Sequence, residues 1–135
     1  MEFEKQMMEA LSALLKRKEQ LQATFYGVLR TGSLPRPKEY YCLFGFTGED
    51  LLIVSYSPLF KRKGFSVRVP LHIRQVKIQE SLTGGKYTLR FRLNDAWRPF
   101  EKFKIVVKKE HSKLESQKEN VEKFLSVIEE YNTFF

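Results

Sequence analysis

A chain of 135 residues with 42% apolar and 14% aromatic side chains, twelve of them Phe, carries more buriable surface than a disordered segment and suits one domain with its own core. Its single cysteine, Cys42, excludes an intrachain disulfide, and with only two histidines there is no zinc-type spacing, so neither a metal nor another cofactor is expected. The net charge of +8 is uneven: residues 1–22 hold four bases and four acids, 23–111 seventeen and seven, and 112–132 three and five, which makes the middle the basic part.

The chain opens MEFEKQMMEAL, with acids where a secretory signal has bases, and no apolar run approaches the length of a membrane span. A soluble, cytoplasmic protein is expected, with a peripheral place at the inner face of a membrane as the further option. In the opening segment Phe3, Met7, Leu11, Leu14, Leu15 and Leu21 recur at helical spacing, with acids early and bases late, as the helix dipole favours. This predicts an amphipathic helix over 1–22.

The pattern then changes to short aromatic and β-branched runs between turn residues. Strands are predicted at 23–30, at 39–47 (EYYCLFGFT, closed by Gly48-Glu49-Asp50) and at 51–57 (LLIVSYS). Between the first two, TGSLPRPK is a loop because Gly32, Pro35 and Pro37 forbid regular pairing. After SPLFKRKG come FSVRVP and HIRQVKIQES, each alternating apolar with polar positions. The sixth strand sets Tyr87, Leu89, Phe91 and Leu93 against Thr88, Arg90 and Arg92, behind a two-glycine turn. The seventh, EKFKIVVKK, follows the loop NDAWRPF. A capping-box spacing, Ser116 to Glu119, then precedes Val121, Phe124, Leu125, Ile128 and Tyr131 on one helical face, which predicts a helix over 112–132.

Seven half-buried antiparallel strands must close or fold over one another to hide their apolar faces and edges. The expectation is a mainly β single domain over 1–135: an N-terminal helix (1–22), a seven-stranded antiparallel barrel (23–110) and a C-terminal helix (112–132) that caps one end. With its elements in this order the chain resembles a pleckstrin-homology-like domain, of the bacterial PH or GRAM-related kind, over residues 23–131. The stretch that carries the resemblance best is FSVRVPLHIRQVKIQESLTGGKYTLRFRL. Two departures stand out. The tryptophan of the eukaryotic family's last helix is absent, since Trp97 lies in a loop and Phe124 or Tyr131 must fill that space; and the first helix is an addition.

The resemblance implies a ligand end, away from the last helix, formed by the first-second, third-fourth and sixth-seventh strand connections. Alternating strand direction brings the first two together; the third follows from the resemblance alone. These connections carry Arg36 and Lys38, then Phe60, Lys61, Arg62 and Lys63, then Trp97 and Arg98. The family's inositol-phosphate motif needs a lysine late in strand one and a basic pair entering strand two. Arg30, Arg36 and Lys38 stand near those positions, but Glu39 follows at once and weakens such a site. Attachment to an anionic membrane needs less geometry: Lys61, Arg62 and Lys63 beside Leu59, Phe60 and Phe65 supply charge and an apolar wedge. The competing reading is a solvated hairpin tip with Phe60 and Phe65 folded inward.

Arg90 and Arg92, with Lys104 and Lys108 on the next strand, form a basic stripe that suits a nucleic acid, yet Tyr87 and Phe91 lie on the opposite face, which weighs against base stacking. Gly84-Gly85-Lys86 lacks the spacing and the serine or threonine of a phosphate loop, His72 and His111 have no partner by spacing, and Cys42 reads as core filler. The sequence thus points to a non-enzymatic, PH-like binding or scaffolding domain that engages a protein partner, a second copy of itself or an anionic lipid surface; the alternative is a nucleic-acid-binding barrel using its basic sheet face. The first helix either covers the barrel side or pairs with another chain.

Overall fold

A computed structural model describes residues 2–31, 38–57, 62–70, 74–82, 84–93, 102–109 and 114–132. The elements are α1 (Glu2–Ser12), β1 (Ala23–Thr31), β2 (Lys38–Phe46), β3 (Asp50–Ser57), β4 (Arg62–Pro70), β5 (Arg74–Glu80), β6 (Lys86–Leu93), β7 (Lys102–Lys108) and α2 (Gln117–Asn132). All strands belong to one antiparallel sheet in the order β4-β3-β2-β1-β7-β6-β5. The predicted barrel is therefore corrected in one respect: the sheet does not close, because β4 and β5 stand at its edges. Seven alternating strands leave both edges running the same way. A parallel pair needs a crossover of a dozen or more residues, whereas only 71–73 separate Pro70 from Arg74.

The inner face of the sheet is rich in phenylalanine because alternate positions of every strand turn there. Phe25 stacks on Phe44 at 5.3 Å and Phe91 on Phe103 at 4.6 Å. Phe124 of α2 reaches both Phe25 (4.9 Å) and Phe46 (5.1 Å), and with Val121, Leu125 and Ile128 it joins the same core. Rings at these separations add roughly 0.5–1.5 kcal/mol per pair beyond their burial. Phe124 thus occupies core space through the last helix; the Tyr131 side chain lies outside the described residues.

A second core lies on the outer face. There Met7 and Leu11 of α1 pack with Tyr26, Leu43, Leu52 and Val54. The first helix covers the sheet of its own chain, and β3 is buried on both faces from Leu51 to Ser55. Gly45 permits this closeness, since a Cβ there would stand 2.7 Å from Leu21 and 2.8 Å from Leu11.

The helix is shorter than the expected 1–22 for a local reason. After Ser12 the chain turns: the Leu15 N–H bonds Ser12 C=O, the Glu19 side chain accepts from the Lys16 N–H at 2.7 Å, and Lys18 takes a left-handed φ of 72°. Leu14, Leu15 and Leu21 still reach the outer core, but from a turn. Arg68 of β4 holds that turn by donating to Leu14 C=O at 2.8 Å and pairing with Glu19 and Asp50.

One strand edge has an unusual completion. β1 pairs with β2 along its whole length but with β7 only from Val28 to Thr31. Beyond that point α2 takes over with side chains. The fully buried Gln117 accepts from the Tyr26 N–H at 2.9 Å and donates to Tyr26 C=O at 2.8 Å and Lys108 C=O at 3.0 Å. Asn120 donates to Thr24 C=O at 2.8 Å. Buried backbone groups left unpaired cost about 1–3 kcal/mol each, so these bonds are obligatory.

Two outcomes follow. Gln117→Ala strands three backbone groups and lowers stability by roughly 2–4 kcal/mol in urea unfolding; a loss under about 0.5 kcal/mol would mean that water takes over the bonds. Hydrogen bonds from Arg68 and then from the Lys16 N–H lower the Glu19 pKa from 4.5 to about 2. A carboxyl depressed in the folded state stabilises above its unfolded pKa and loses that contribution as pH falls through the folded one. The advantage of the native chain over Glu19→Gln therefore holds above pH 4.5 and vanishes towards pH 2. A pH-independent difference between their urea midpoints would refute this linkage.

Candidate functional site

Strand pairing sets where the connections emerge. Thr31 lies opposite both Lys38 and Phe103, Ser57 opposite Arg62, and Arg92 opposite Lys102. The flanks of the β1-β2, β3-β4 and β6-β7 connections thus share one end of the sheet, including the third, which strand alternation in the sequence had not supplied. Of the expected site residues, Arg36, Phe60, Lys61, Trp97 and Arg98 lie outside the described residues. Lys38, Arg62 and Lys63 are described in their backbone only: Lys38 opens β2, and Arg62 and Lys63 open β4 rather than standing in a loop.

A bulge shapes the β3-β4 hairpin. Register shifts between Val54, opposite Ser66, and Tyr56, opposite Lys63, so Gly64 and Phe65 face Ser55 alone. The extra residue would orphan a donor, and the Ser55 hydroxyl accepts it: Phe65 N–H to Oγ is 2.7 Å. A Cβ on Gly64 would stand 2.3 Å from that oxygen, so the bulge needs glycine. Phe65 is half-buried, edge-on to Tyr40 at 5.0 Å and against the inner core. Of the two phenylalanines proposed as a wedge, this one turns inward.

Beside this end Arg30 and Glu39 lie opposite each other, with Nε 2.9 Å from Oε1. The acid suspected of weakening an inositol-phosphate site thus engages the cation that such a site would use. Cys42 is fully buried in the inner core; its Sγ donates to Tyr40 C=O at 3.6 Å, and burial pushes its thiol up to about 12. Among the described residues no cluster of His, Cys, Asp and Glu could hold a metal ion, and no helix is long and apolar enough to cross a membrane.

No protein-family model and no curated protein matches the chain. Solved structures do. The hSac2 domain from the human phosphoinositide phosphatase Sac2 superposes with a TM-score of 0.58 at 11% identity, covering 96% of this chain and 79% of that one. A chain from the complex of human RhoA with the DH/PH fragment of PDZRHOGEF gives 0.52 at 11% identity, covering 93% of this chain and 35% of that one. The linker-DH/PH domains of p115-RhoGEF give 0.50 at 13%, covering 95% and 34%. This chain spans about a third of those two longer chains. At such identities the likeness is one of fold.

Cys42 provides a check on the buried-thiol reading. With a thiol near 12 and no exposure, native protein at pH 8 resists iodoacetamide while denatured protein is alkylated at once. Equal rates in the two states would return the thiol to the list of reactive groups.

Proposed function

We propose that this chain, whose fold is pleckstrin-homology-like, is a non-enzymatic binding or scaffolding module that engages a protein partner or an anionic membrane surface through the end bearing Arg36, Lys38, Phe60, Lys61, Arg62, Lys63, Trp97 and Arg98. The observation that carries the reading is strand pairing, which gathers the flanks of all three of these basic and aromatic connections at one end of the sheet. The fold itself carries no chemistry: one solved neighbour is a domain of a phosphoinositide phosphatase and another comes from a complex with RhoA. The chain's one cysteine, buried and raised in pKa, does not serve as a nucleophile in this reading. The bacterial PH or GRAM-related kinship rests on the strand pattern of residues 65–93.

Self-association through α1 is the less favoured form of partnership, because Met7 and Leu11 are already spent on the chain's own sheet. Specific inositol-phosphate recognition is disfavoured by the Arg30 to Glu39 pair. A diffuse anionic surface needs neither group, since each base near it contributes about 1 kcal/mol.

The test is cosedimentation with neutral and phosphatidylserine-containing vesicles at low and physiological salt, with light scattering for oligomeric state. The native chain is expected to bind only the anionic vesicles. Replacing Lys61, Arg62 and Lys63 with Ala should weaken that binding on the order of 100-fold while leaving the thermal midpoint nearly unchanged. A large drop in stability would make these side chains structural; failure of the native chain to bind vesicles would leave the protein partner.

A further inference from the structure

Among the described side chains, cations gather on the outer face of β5, β6 and β7. Register places Lys77 opposite Arg90, Arg90 opposite Lys104, and Lys104 opposite Arg30. One row of cations therefore crosses four strands. The alternate positions Val76, Leu89, Phe91, Phe103, Ile105 and Leu29 are buried, so the row faces outward. Lys86 and Lys108, opposite each other, extend the same face. Within the row itself the acid is Glu39, paired with Arg30 at the far end. Strands about 4.8 Å apart set the cations along a line of roughly 14 Å.

The neighbouring row runs from Thr88 through Val106 and Val28 to Tyr41. Tyr41 is 48% exposed, the most open aromatic ring among the described residues, and leans on Tyr56 at 6.2 Å. It is the diagonal neighbour of Arg30, about 7–8 Å away. The sequence had set aromatics and bases on opposite faces because it compared residues within β6; Tyr41 comes to the basic face from β2, through cross-strand register alone.

We infer that this face binds single-stranded nucleic acid, with the phosphate backbone along the row Lys77, Arg90 and Lys104, short of the Arg30 already paired with Glu39, and a base stacked on Tyr41 over the half-buried floor of Val28 and Val106. A line of cations suits a polymer carrying a charge on every unit, and a ring beside the line suits its bases. A bilayer is matched less well, because the apolar members of this face lie half-buried within the sheet instead of projecting from it. An acidic protein would use the charge but gives the ring no role. The inference is independent of the loop end.

The experiment is fluorescence anisotropy of the full chain with a labelled oligothymidylate, with duplex DNA, heparin and phosphatidylserine vesicles as competitors. Binding is expected to weaken with salt at a log-log slope of about −2 to −3, the value for three or four phosphates on a single strand. Arg90→Glu with Lys104→Glu should weaken it at least about tenfold, and Lys77→Glu with Lys108→Glu similarly, each read beside its thermal midpoint. Tyr41→Ala should weaken it about fivefold or more. The charge-matched control, Lys118→Glu with Lys123→Glu on α2, should change it less than about threefold. Absence of binding at low salt, or an equal loss in the α2 control, overturns the inference. So does an unaffected Tyr41→Ala variant whose oligonucleotide is displaced equally by heparin, which would mark a general polyanion surface. Vesicle capture through Arg90 and Lys104 without oligonucleotide binding would assign the face to a membrane.

Discussion

The side-chain amides of Gln117 and Asn120 act as a strand that the sheet lacks. β1 must serve two neighbours, and it can follow β7 only as far as Val28 before the sheet opens. The backbone groups of Thr24 and Tyr26 would then be buried without partners, at a cost no apolar packing at that point could offset. An amide side chain presents the same donor and acceptor as a peptide group, so Gln117 pairs with Tyr26 much as another strand would. This in turn fixes α2 over the inner face, seats Phe124 between Phe25 and Phe46, and leaves the Tyr26 side chain to the outer core under α1. Both hydrophobic layers hang on a short stretch of β1.

Much of this was legible in the sequence because period decides it. The seven strands and both helices appear in the order that alternating or helical spacing predicts, although α1 stops at Ser12 and α2 starts only at Gln117, and the inner core is the Phe-rich set those spacings select. What was not legible depended on partners distant in the chain. The end of α1 at Ser12 is invisible in the run of leucines that continues to Leu21; the turn is held by Arg68, from β4. Nothing in helical spacing marks Gln117, and only the departure of β1 from β7 gives it a role. Arg62 and Lys63 read as loop because a bulge, secured by Ser55, carries the ladder past the point where alternation fails. All eight side chains of the expected loop site lie outside the described residues, so the sequence and the strand ends are its support.

Charge in this chain is sorted by depth as well as by segment. Arg68 and Glu19 are drawn into a partly buried clasp that fixes a turn, and Arg30 and Glu39 share a strand pair. Lys77, Arg90 and Lys108 stay exposed on the sheet. Cations of the first two kinds are spent on architecture and those of the last kind are left over, so net charge alone overstates what any one surface presents. Register separates the two groups, and no single-strand pattern can.

The Gln117 to Tyr26 contact joins residues 91 apart in sequence. As the chain leaves the ribosome, β1 to β4 can pair as hairpins early, since their turns are local. β1 cannot complete its second edge until β7 and the first turn of α2 have followed. Loop-closure entropy is thus paid late, after most of the apolar surface of the first four strands has already emerged. Folding of this domain therefore waits for residue 117 to emerge, and a chain truncated before that point would hold paired strands around an unfinished interior, the condition in which newly made β-proteins aggregate.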